Sequence, residues 1–455
     1  MNQKTAQDSL TADLARQVVD LQYAQIPEKA LRLAHLALLD WYAVSVGGLR
    51  EAPVPLLARQ ILDEGAAPRV TMLGRTERTS ASLAALYNGT AGHVLDYDDV
   101  HNAVPGHVTI NIAPAVLALA EHIGASGEAM LTAFVAGFEQ MCAMGTGFEG
   151  RLFHRGWQGT TTGAIAAAAA CAKLLGLDAH KTEMAMALGA AQAGGIHGNY
   201  GSMSKSLNVG LAAQAGLRAA LWAAQGITGM AGILERPKGV IEVFSDGFNA
   251  DAARAKPEGG WHLYRNLFKL HASCFLTHAT LQAWDQLRRQ HGIDGAQVGK
   301  ATIHVEREKH RIVFISPPRD GLEAKFSLRF CLAMALRDID TSDPSSFCEA
   351  TVTRPALRET AERIDINIDP SVPFEAARLD ILLTDGRNFS CHADAGQPAE
   401  DVAALADAVE NKARRLLHAI PEPEREALIE KCRDLALLRR AAELHPTLAR
   451  EKASQ

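Results

Sequence analysis

Hydrophobic and small residues recur every three or four positions through the first half of the chain. This spacing gives a helix one apolar face, so it predicts a series of amphipathic helices packed together. Glycines such as Gly124, Gly176 and Gly226 interrupt the pattern where a helix is expected to end. The predicted helical segments are 27–46, 81–95, 110–124, 127–147, 161–175, 179–193 and 206–225.

The pattern changes after about residue 265. Residues 301–305 and 377–383 alternate between apolar and polar positions, which predicts two strands. The second strand runs into Asp385-Gly386, a hairpin-turn pair, and is expected to return over 388–392. A helix is predicted over 325–335, between the two strands. Helical spacing resumes at residue 399 and continues to the C-terminus.

This order of elements predicts a mainly α protein. We expect a large all-α domain formed by residues 1–266 and 397–455. A smaller α+β lid domain, residues 267–396, is expected to be inserted before the C-terminal helices. A chain of 455 residues is long enough for two domains of these sizes.

Composition narrows the function classes. A net charge of -6, without a basic stripe, argues against a nucleic-acid partner. No apolar run approaches the roughly 20 residues of a membrane helix, and the polar, acid-containing N-terminus does not resemble a targeting peptide. The seven cysteines stand singly, without the short spacings of metal or iron–sulfur ligands. We therefore expect a cytoplasmic protein with reduced thiols that needs no metal and no cofactor.

One polar cluster stands out between two apolar helical segments. It contains Asp96, Asp98, Asp99, His101 and His107. These residues fit a solvated acidic loop, but they also fit one wall of an active site for proton transfer.

A second polar segment precedes the Ala-rich run and contains His154, Gln158 and Thr160. The free N–H groups of a helix start can bind a carboxylate, although ordinary threonine capping explains the same pattern. Lys205 and Asn208 lie near another predicted helix start, where a lysine either pairs with a substrate carboxylate or stays in solvent.

A further polar segment lies at the junction of the two predicted domains. Residues 269–278 include Cys274 and His278, and His278 is expected to begin a helix. His278 fits either a pocket at a domain junction or a structural histidine. Phosphate-binding, nucleophile-elbow and HExxH zinc motifs are absent from the sequence. The residues together indicate cofactor-free acid–base chemistry on a small anionic substrate.

Taken in order, several short motifs resemble the MmgE/PrpD family, which includes 2-methylcitrate dehydratase, cis-aconitate decarboxylase and iminodisuccinate epimerase. The resemblance covers essentially the whole chain. Its motifs are Leu38-Leu39-Asp40, Gly47-Gly48, Asn88-Gly89, His93, Leu95-Asp96-Tyr97-Asp98-Asp99, Lys173-Leu174-Leu175-Gly176-Leu177, Ser204-Lys205, Ala324-Lys325-Phe326-Ser327 and Gly396-Gln397-Pro398.

The resemblance implies a homodimer whose site lies between an all-α domain and a lid domain. It implies that His107 is the base or acid and that Lys205 holds a carboxylate and can donate a proton. It also implies that Asp96 orients a neighbouring basic group. Gln158 and Thr160 would bind carboxylate oxygens. We expect these residues and the 269–278 segment to converge on one cleft.

The chain departs from the family pattern at several histidines. Gln158 stands where many members have histidine, so His154 is the candidate to replace it. Asn208 and Cys274 also stand at positions where family members have histidine. The leading expectation is a hydro-lyase that removes water from a hydroxy-tricarboxylate, as 2-methylcitrate dehydratase does. Alternatives are an iminodisuccinate-type epimerase, a cis-aconitate-type decarboxylase and a non-catalytic anion-binding homologue.

Overall fold

The computed structural model describes residues 9–445, and these residues are mainly α-helical, which confirms the predicted class. The first residues of the polar N-terminus and the end of the C-terminal helical pattern lie outside the described residues. The chain forms two compact units. The first comprises the described residues up to Val94, Asp98–Phe268 and those from Asp401, and the second comprises Leu95–Tyr97 and Lys269–Glu400.

The first unit is built almost entirely of helices. A short antiparallel pair of strands, β1 (Val70–Thr71) and β2 (Arg78–Thr79), accompanies them. None of the helices within residues 9–445 has the length and hydropathy needed to span a membrane. The helices before residue 268 are α1 (Leu10–Asp20), α2 (Glu28–Gly47), α3 (Pro53–Glu64), α4 (Ala81–His93), α5 (Thr109–Ile123), α6 (Gly127–Phe148), α7 (Arg151–His154), α8 (Thr160–Leu174), α9 (Ala179–Ala190), α10 (Ser204–Ala224), α11 (Val240–Phe244) and α12 (Ala250–Arg254).

Helices α4, α8 and α10 form the centre of this unit. Helix α10 packs against both α4 and α8, and α8 also packs against α5, α6 and α9. The alanines of α8 from Ala164 to Ala170, together with Ile165, are completely buried, because a helix surrounded by other helices needs small apolar residues on every side. Ser80 begins α4 by accepting a hydrogen bond from the backbone N–H of Leu83.

Gly216 allows the close approach of α10 to α8. A Cβ atom at this position would lie 2.4 Å from the Ala167 Cβ and 2.7 Å from the Ala168 nitrogen. We expect Gly216→Ala to lower the free energy of unfolding by about 1–3 kcal/mol through overpacking. This cost exceeds the roughly 1 kcal/mol that alanine gains in helix propensity.

Urea denaturation of Gly216→Ala measures this effect. Leu211→Ala is the control, because Leu211 lies on the same helix and is 43% exposed. The control should change stability by no more than about 0.5 kcal/mol. Equal stability of Gly216→Ala and the wild-type protein would contradict the packing argument.

The second unit combines helices with a four-stranded sheet in the order β4-β3-β5-β6. β3 pairs in parallel with β4 and antiparallel with β5, and β5 continues into β6 through the predicted hairpin. Gly386 in this turn has a φ of 89°, which glycine adopts without strain. The elements are α13 (His278–His291), β3 (Val298–Val305), α14 (Arg307–Ile312), α15 (Gly321–Ala324), α16 (Leu328–Leu336), α17 (Glu349–Val352), α18 (Pro355–Glu362), β4 (Ile364–Ile368), β5 (Ala376–Leu383) and β6 (Asn388–Asp394).

Two further helices, α19 (Val402–Leu416) and α20 (Glu422–Arg433), belong to the first unit. Both pack against α2, and α19 contacts it over most of its length. Helix α19 has one strongly apolar face, with Val409, Ala413 and Leu416 buried. The chain thus returns to its N-terminal helices after the second unit.

Candidate active site

The first unit holds a carboxylate between two imidazoles. His93 is the last residue of α4, and Asp98 and His107 lie on the segment that leads to α5. The Nδ1 atom of His93 lies 2.9 Å from Asp98 Oδ1, and the Nδ1 atom of His107 lies 2.9 Å from Asp98 Oδ2. The two histidine rings meet edge to face at 4.5 Å. Asp98 therefore hydrogen-bonds to His93 and is in close polar contact with His107.

Burial and charge set the protonation of this group. Burial alone would raise the pKa of Asp98, but the neighbouring His107 and His93 hold it well below its usual value. Burial lowers the pKa of His93 to about 4, although Asp98 opposes the shift, and Lys205 and His107 lower it further. Asp98 is consequently ionised near neutral pH, and His93 is neutral.

The contact with Asp98 determines which ring nitrogen of a histidine carries a hydrogen. An ionised carboxylate only accepts hydrogen bonds, so the His93 Nδ1 atom that is bonded to it must carry the hydrogen, and the carboxylate 2.9 Å from His107 Nδ1 favours a hydrogen on that atom as well. The Nε2 atom of the neutral His93 ring then presents a lone pair. The His107 side chain retains 16% exposure, whereas that of His93 retains 2%, so His107 is the ring that a substrate can reach. This arrangement can exchange a proton at His107 Nε2.

Lys205 lies in the first turn of α10, in the same unit as His107. Its ammonium lowers the pKa of both His93 and His197, so its charge acts on two imidazoles. The Nζ atom also lies 5.5 Å from the centre of the Tyr200 ring. Lys205 is partly buried rather than fully solvated, which is compatible with a role in holding an anion.

Gln158 and Thr160 lie at the start of α8 and are both buried. The Gln158 amide donates to the carbonyl of Ile196 at 3.0 Å, and the Thr160 hydroxyl donates to the carbonyl of Gly194 at 2.6 Å. These bonds fix the loop that precedes Lys205. Binding of a carboxylate by either side chain remains a prediction, and it would have to compete with this role.

Two more predicted residues of the first unit lie near these elements. His154 is exposed at the end of α7, and its ring lies 6.0 Å from the ring of Phe153. Asn208 is half-buried at the start of the second turn of α10, three residues after Lys205. Their roles also remain predictions.

Asp96, Cys274 and His278 belong to the second unit, where Asp96 meets a lysine. The Lys269 Nζ atom lies 3.4 Å from Asp96 Oδ2, and the Lys269 side chain is completely buried. Lys325 donates to the carbonyl of Leu95 at 2.7 Å. Asp96 thus has Lys269 as a basic neighbour, and its role in orienting a basic group remains a prediction.

The remaining predicted residues of the second unit are largely buried. The backbone N–H of Cys274 donates to the Lys325 carbonyl at 2.9 Å. His278 is 2% exposed at the start of α13, as the sequence pattern predicts, and its ring lies 5.1 Å from that of His271. Both the structural interpretation and a binding role for His278 remain predictions.

The sequence analysis did not select His93 or His197 as site residues, and it named Asp98 only as one member of the polar cluster. His93 and Asp98 are five positions apart across a helix end, and both occur within the motifs that carry the family resemblance. That spacing was the available signal for the pair. His197 lies in a loop without periodicity, and nothing in its local pattern singles it out.

In the described part of the first unit, two groups of side chains contain residue types that can bind a metal ion. The ligand atoms of His93, Asp98 and His107 lie within 4.8 Å of one another, as do those of His101, Cys142 and His262. Both ring nitrogens of His101 are already used, because Nε2 lies 3.0 Å from the His262 carbonyl and Nδ1 accepts from the Ala103 N–H.

The first unit thus combines a histidine–carboxylate cluster with a lysine whose charge acts on the His93 imidazole. The chain belongs to the MmgE/PrpD family: residues 12–253 match its N-terminal domain and residues 271–435 its C-terminal domain.

Three similar proteins have names that refer to cis-aconitate decarboxylase. A cis-aconitate decarboxylase-like protein of Aspergillus oryzae is 32% identical over 305 residues, which is 63% of each chain. Cis-aconitate decarboxylase of Aspergillus terreus is 30% identical over 63% of this chain and 61% of its own. The human cis-aconitate decarboxylase is 24% identical over 85% of this chain and 83% of its own. The chain thus spans less than two thirds of the two fungal relatives.

Proposed function

We propose that this protein is a cofactor-independent lyase that decarboxylates a small unsaturated tricarboxylate of the cis-aconitate class. The observation that carries the proposal is the ionised Asp98 between His93 and His107, with Lys205 in the same unit. The names of the relatives favour decarboxylation over the dehydration that the sequence alone suggested.

The proposed reaction needs a cation and a proton donor. The C–C bond to one carboxylate breaks, CO₂ leaves, and the electron pair moves into the adjacent C=C–carboxylate system. A proton then adds to carbon, so each turnover consumes one proton. Lys205 would bind a substrate carboxylate and stabilise the developing negative charge. His107 Nε2 would deliver the proton after taking it from solvent, while Asp98 keeps the other proton on Nδ1.

The other predicted site residues extend this proposal. Gln158, Thr160 and Asn208 would select the carboxylate pattern of the substrate from the first unit. Asp96, Cys274 and His278 would contribute from the second unit. A homodimer is proposed on the family resemblance. Gln158 stands at a histidine position of many family members, and Cys274 stands at a histidine position of the decarboxylase-like members. These two differences favour a substrate that differs from cis-aconitate in its substituents.

Proton NMR in heavy water tests the reaction. The purified protein is incubated with cis-aconitate, 2-methylcitrate and an amino-dicarboxylate. Decarboxylation gives a product with one carboxylate fewer and one deuterium on carbon, together with CO₂. Alkene signals without CO₂ would establish the dehydratase alternative, and α-deuterium uptake without net conversion would establish the epimerase. No change in any substrate would favour the non-catalytic homologue.

A further inference from the structure

His197 is held in one orientation in the loop before α10. Its backbone N–H donates to the Gly156 carbonyl at 2.8 Å, and the Trp157 carbonyl acts on the ring as an acceptor. The ring lies 4.6 Å from that of Tyr200, tilted by 31°, and 4.6 Å from that of Phe153, edge to face. The Trp157 carbonyl and two aromatic contacts therefore orient the imidazole.

The Nε2 atom of His197 is buried and has no hydrogen-bond partner among residues 9–445. Because the Trp157 carbonyl only accepts, the ring must donate through Nδ1, which leaves a lone pair on Nε2. A buried acceptor without a donor lowers the stability of the folded protein. A ligand that donates to Nε2, or a proton bound there, would remove this unfavourable free energy.

Lys205 supplies the charge that acts on this ring. Burial, and then the Lys205 ammonium, lower the pKa of His197 to about 4, against a smaller opposing effect of the Trp157 carbonyl. The neighbours of the ring are thus a cation from α10, a carbonyl and Phe153 from the segment around α7, and Tyr200 from its own loop. The unliganded ring is neutral near pH 7.

We propose that His197 is a substrate-binding residue, whose Nε2 takes up a proton when a polycarboxylate binds beside Lys205 and then donates a hydrogen bond to that ligand. This inference rests on the proposed function, since it takes the ligand to be a polycarboxylate. A bound carboxylate offsets the Lys205 charge and accepts a charge-assisted bond, so it favours the imidazolium. His197 would supply the imidazole that Gln158 does not.

The sign of the pH dependence follows. The ligand raises the pKa of His197 above its unliganded value of about 4. The complex therefore binds one proton more than the free protein between the two pKa values. Affinity rises as the pH falls from neutral towards 4, and this rise is absent when His197 cannot be protonated.

Isothermal titration calorimetry with tricarballylate, a saturated tricarboxylate that does not decarboxylate, measures this coupling. Titrations at pH 6 in buffers of different ionisation enthalpy give the number of protons taken up. We compare the wild-type protein with His197→Asn, whose amide N–H can replace the bond to the Trp157 carbonyl. We expect His197→Asn to lose most of one proton of uptake and roughly 10- to 100-fold in affinity at pH 6, and less at pH 8.

His180→Asn is the matched control, because His180 is exposed on α9. It should keep the uptake and affinity of the wild-type protein. Equal proton uptake by wild-type protein and His197→Asn would overturn the inference and leave the proposed function standing. Failure of the wild-type protein to bind tricarballylate or cis-aconitate would overturn both.

If His197→Asn does not fold, nitrogen NMR of the wild-type imidazoles decides. Tricarballylate should move the His197 Nε2 resonance towards the protonated value at pH 6. An unchanged resonance at saturating ligand would overturn the inference.

Discussion

Replacing Asp98 by asparagine should lower kcat/KM for the decarboxylated substrate by about 10²–10⁴-fold, the usual contribution of a positioned acid–base group. The new amide would present an N–H where the carboxylate now only accepts. One of the two imidazoles would then have to accept at Nδ1 and carry its hydrogen on Nε2. If that ring is His107, its Nε2 no longer receives a proton from solvent in the orientation that the reaction needs.

The rate of CO₂ release at saturating and at low substrate measures this loss. Glu128→Gln is the control, because Glu128 is an exposed acid in the first turn of α6. The control should retain activity close to that of the wild-type protein.

The double variant Asp98→Asn/His107→Ala sharpens the test. If Asp98 acts through His107, the double variant should be no worse than His107→Ala alone, because residues that act as a unit are not additive. Additive losses would show that Asp98 works elsewhere. Wild-type activity in Asp98→Asn would remove the histidine–carboxylate pair from the mechanism.

Seven helices of the first unit could be predicted because each is long and rich in apolar and small residues. Seven predicted segments correspond to α2, α4, α5, α6, α8, α9 and α10, with ends that differ by a few residues. The Asp-Gly pair likewise identified the β5–β6 hairpin. In these places local sequence alone specifies local structure.

Elements whose form depends on distant partners were missed. β4 is only five residues long, and its parallel pairing with β3 joins segments that are far apart in the chain. Long-range pairing of this kind leaves little trace in one short window of sequence. Helices α1 and α3 were also not predicted, although both are amphipathic.

The candidate site was predictable in part. The sequence placed His107 in a cluster of acids, but it could not show that Asp98, rather than another acid of that cluster, contacts the ring. Nor could it show that the side chains of Gln158 and Thr160 donate hydrogen bonds to the carbonyls of Ile196 and Gly194. A motif gives residue types in order, whereas the partner of each side chain is set by packing.

The largest stability effect should come from a buried ion pair that joins the two ends of the chain. Asp40 on α2 and Lys412 on α19 approach to 2.7 Å, and each side chain is 1% exposed. Lys412→Met removes the cation and leaves the Asp40 carboxylate buried beside an apolar side chain. Breaking such a pair from one side typically costs about 3–5 kcal/mol, and we expect a loss of that size in the free energy of unfolding.

Urea denaturation of three variants separates two contributions to the free energy of unfolding: the loss caused by an unpaired buried charge and the gain from the ion pair itself. Asp40→Asn/Lys412→Met should recover most of the stability that Lys412→Met loses, because no buried charge remains. Lys300→Met is the matched control: Lys300 and Asp365 also form a 2.9 Å pair, but their side chains are 58% and 55% exposed, so its loss should cost no more than about 1 kcal/mol. If Lys412→Met were as mild as Lys300→Met, solvent or another cation would have to reach Asp40, and α19 would not be fixed to α2 through this pair.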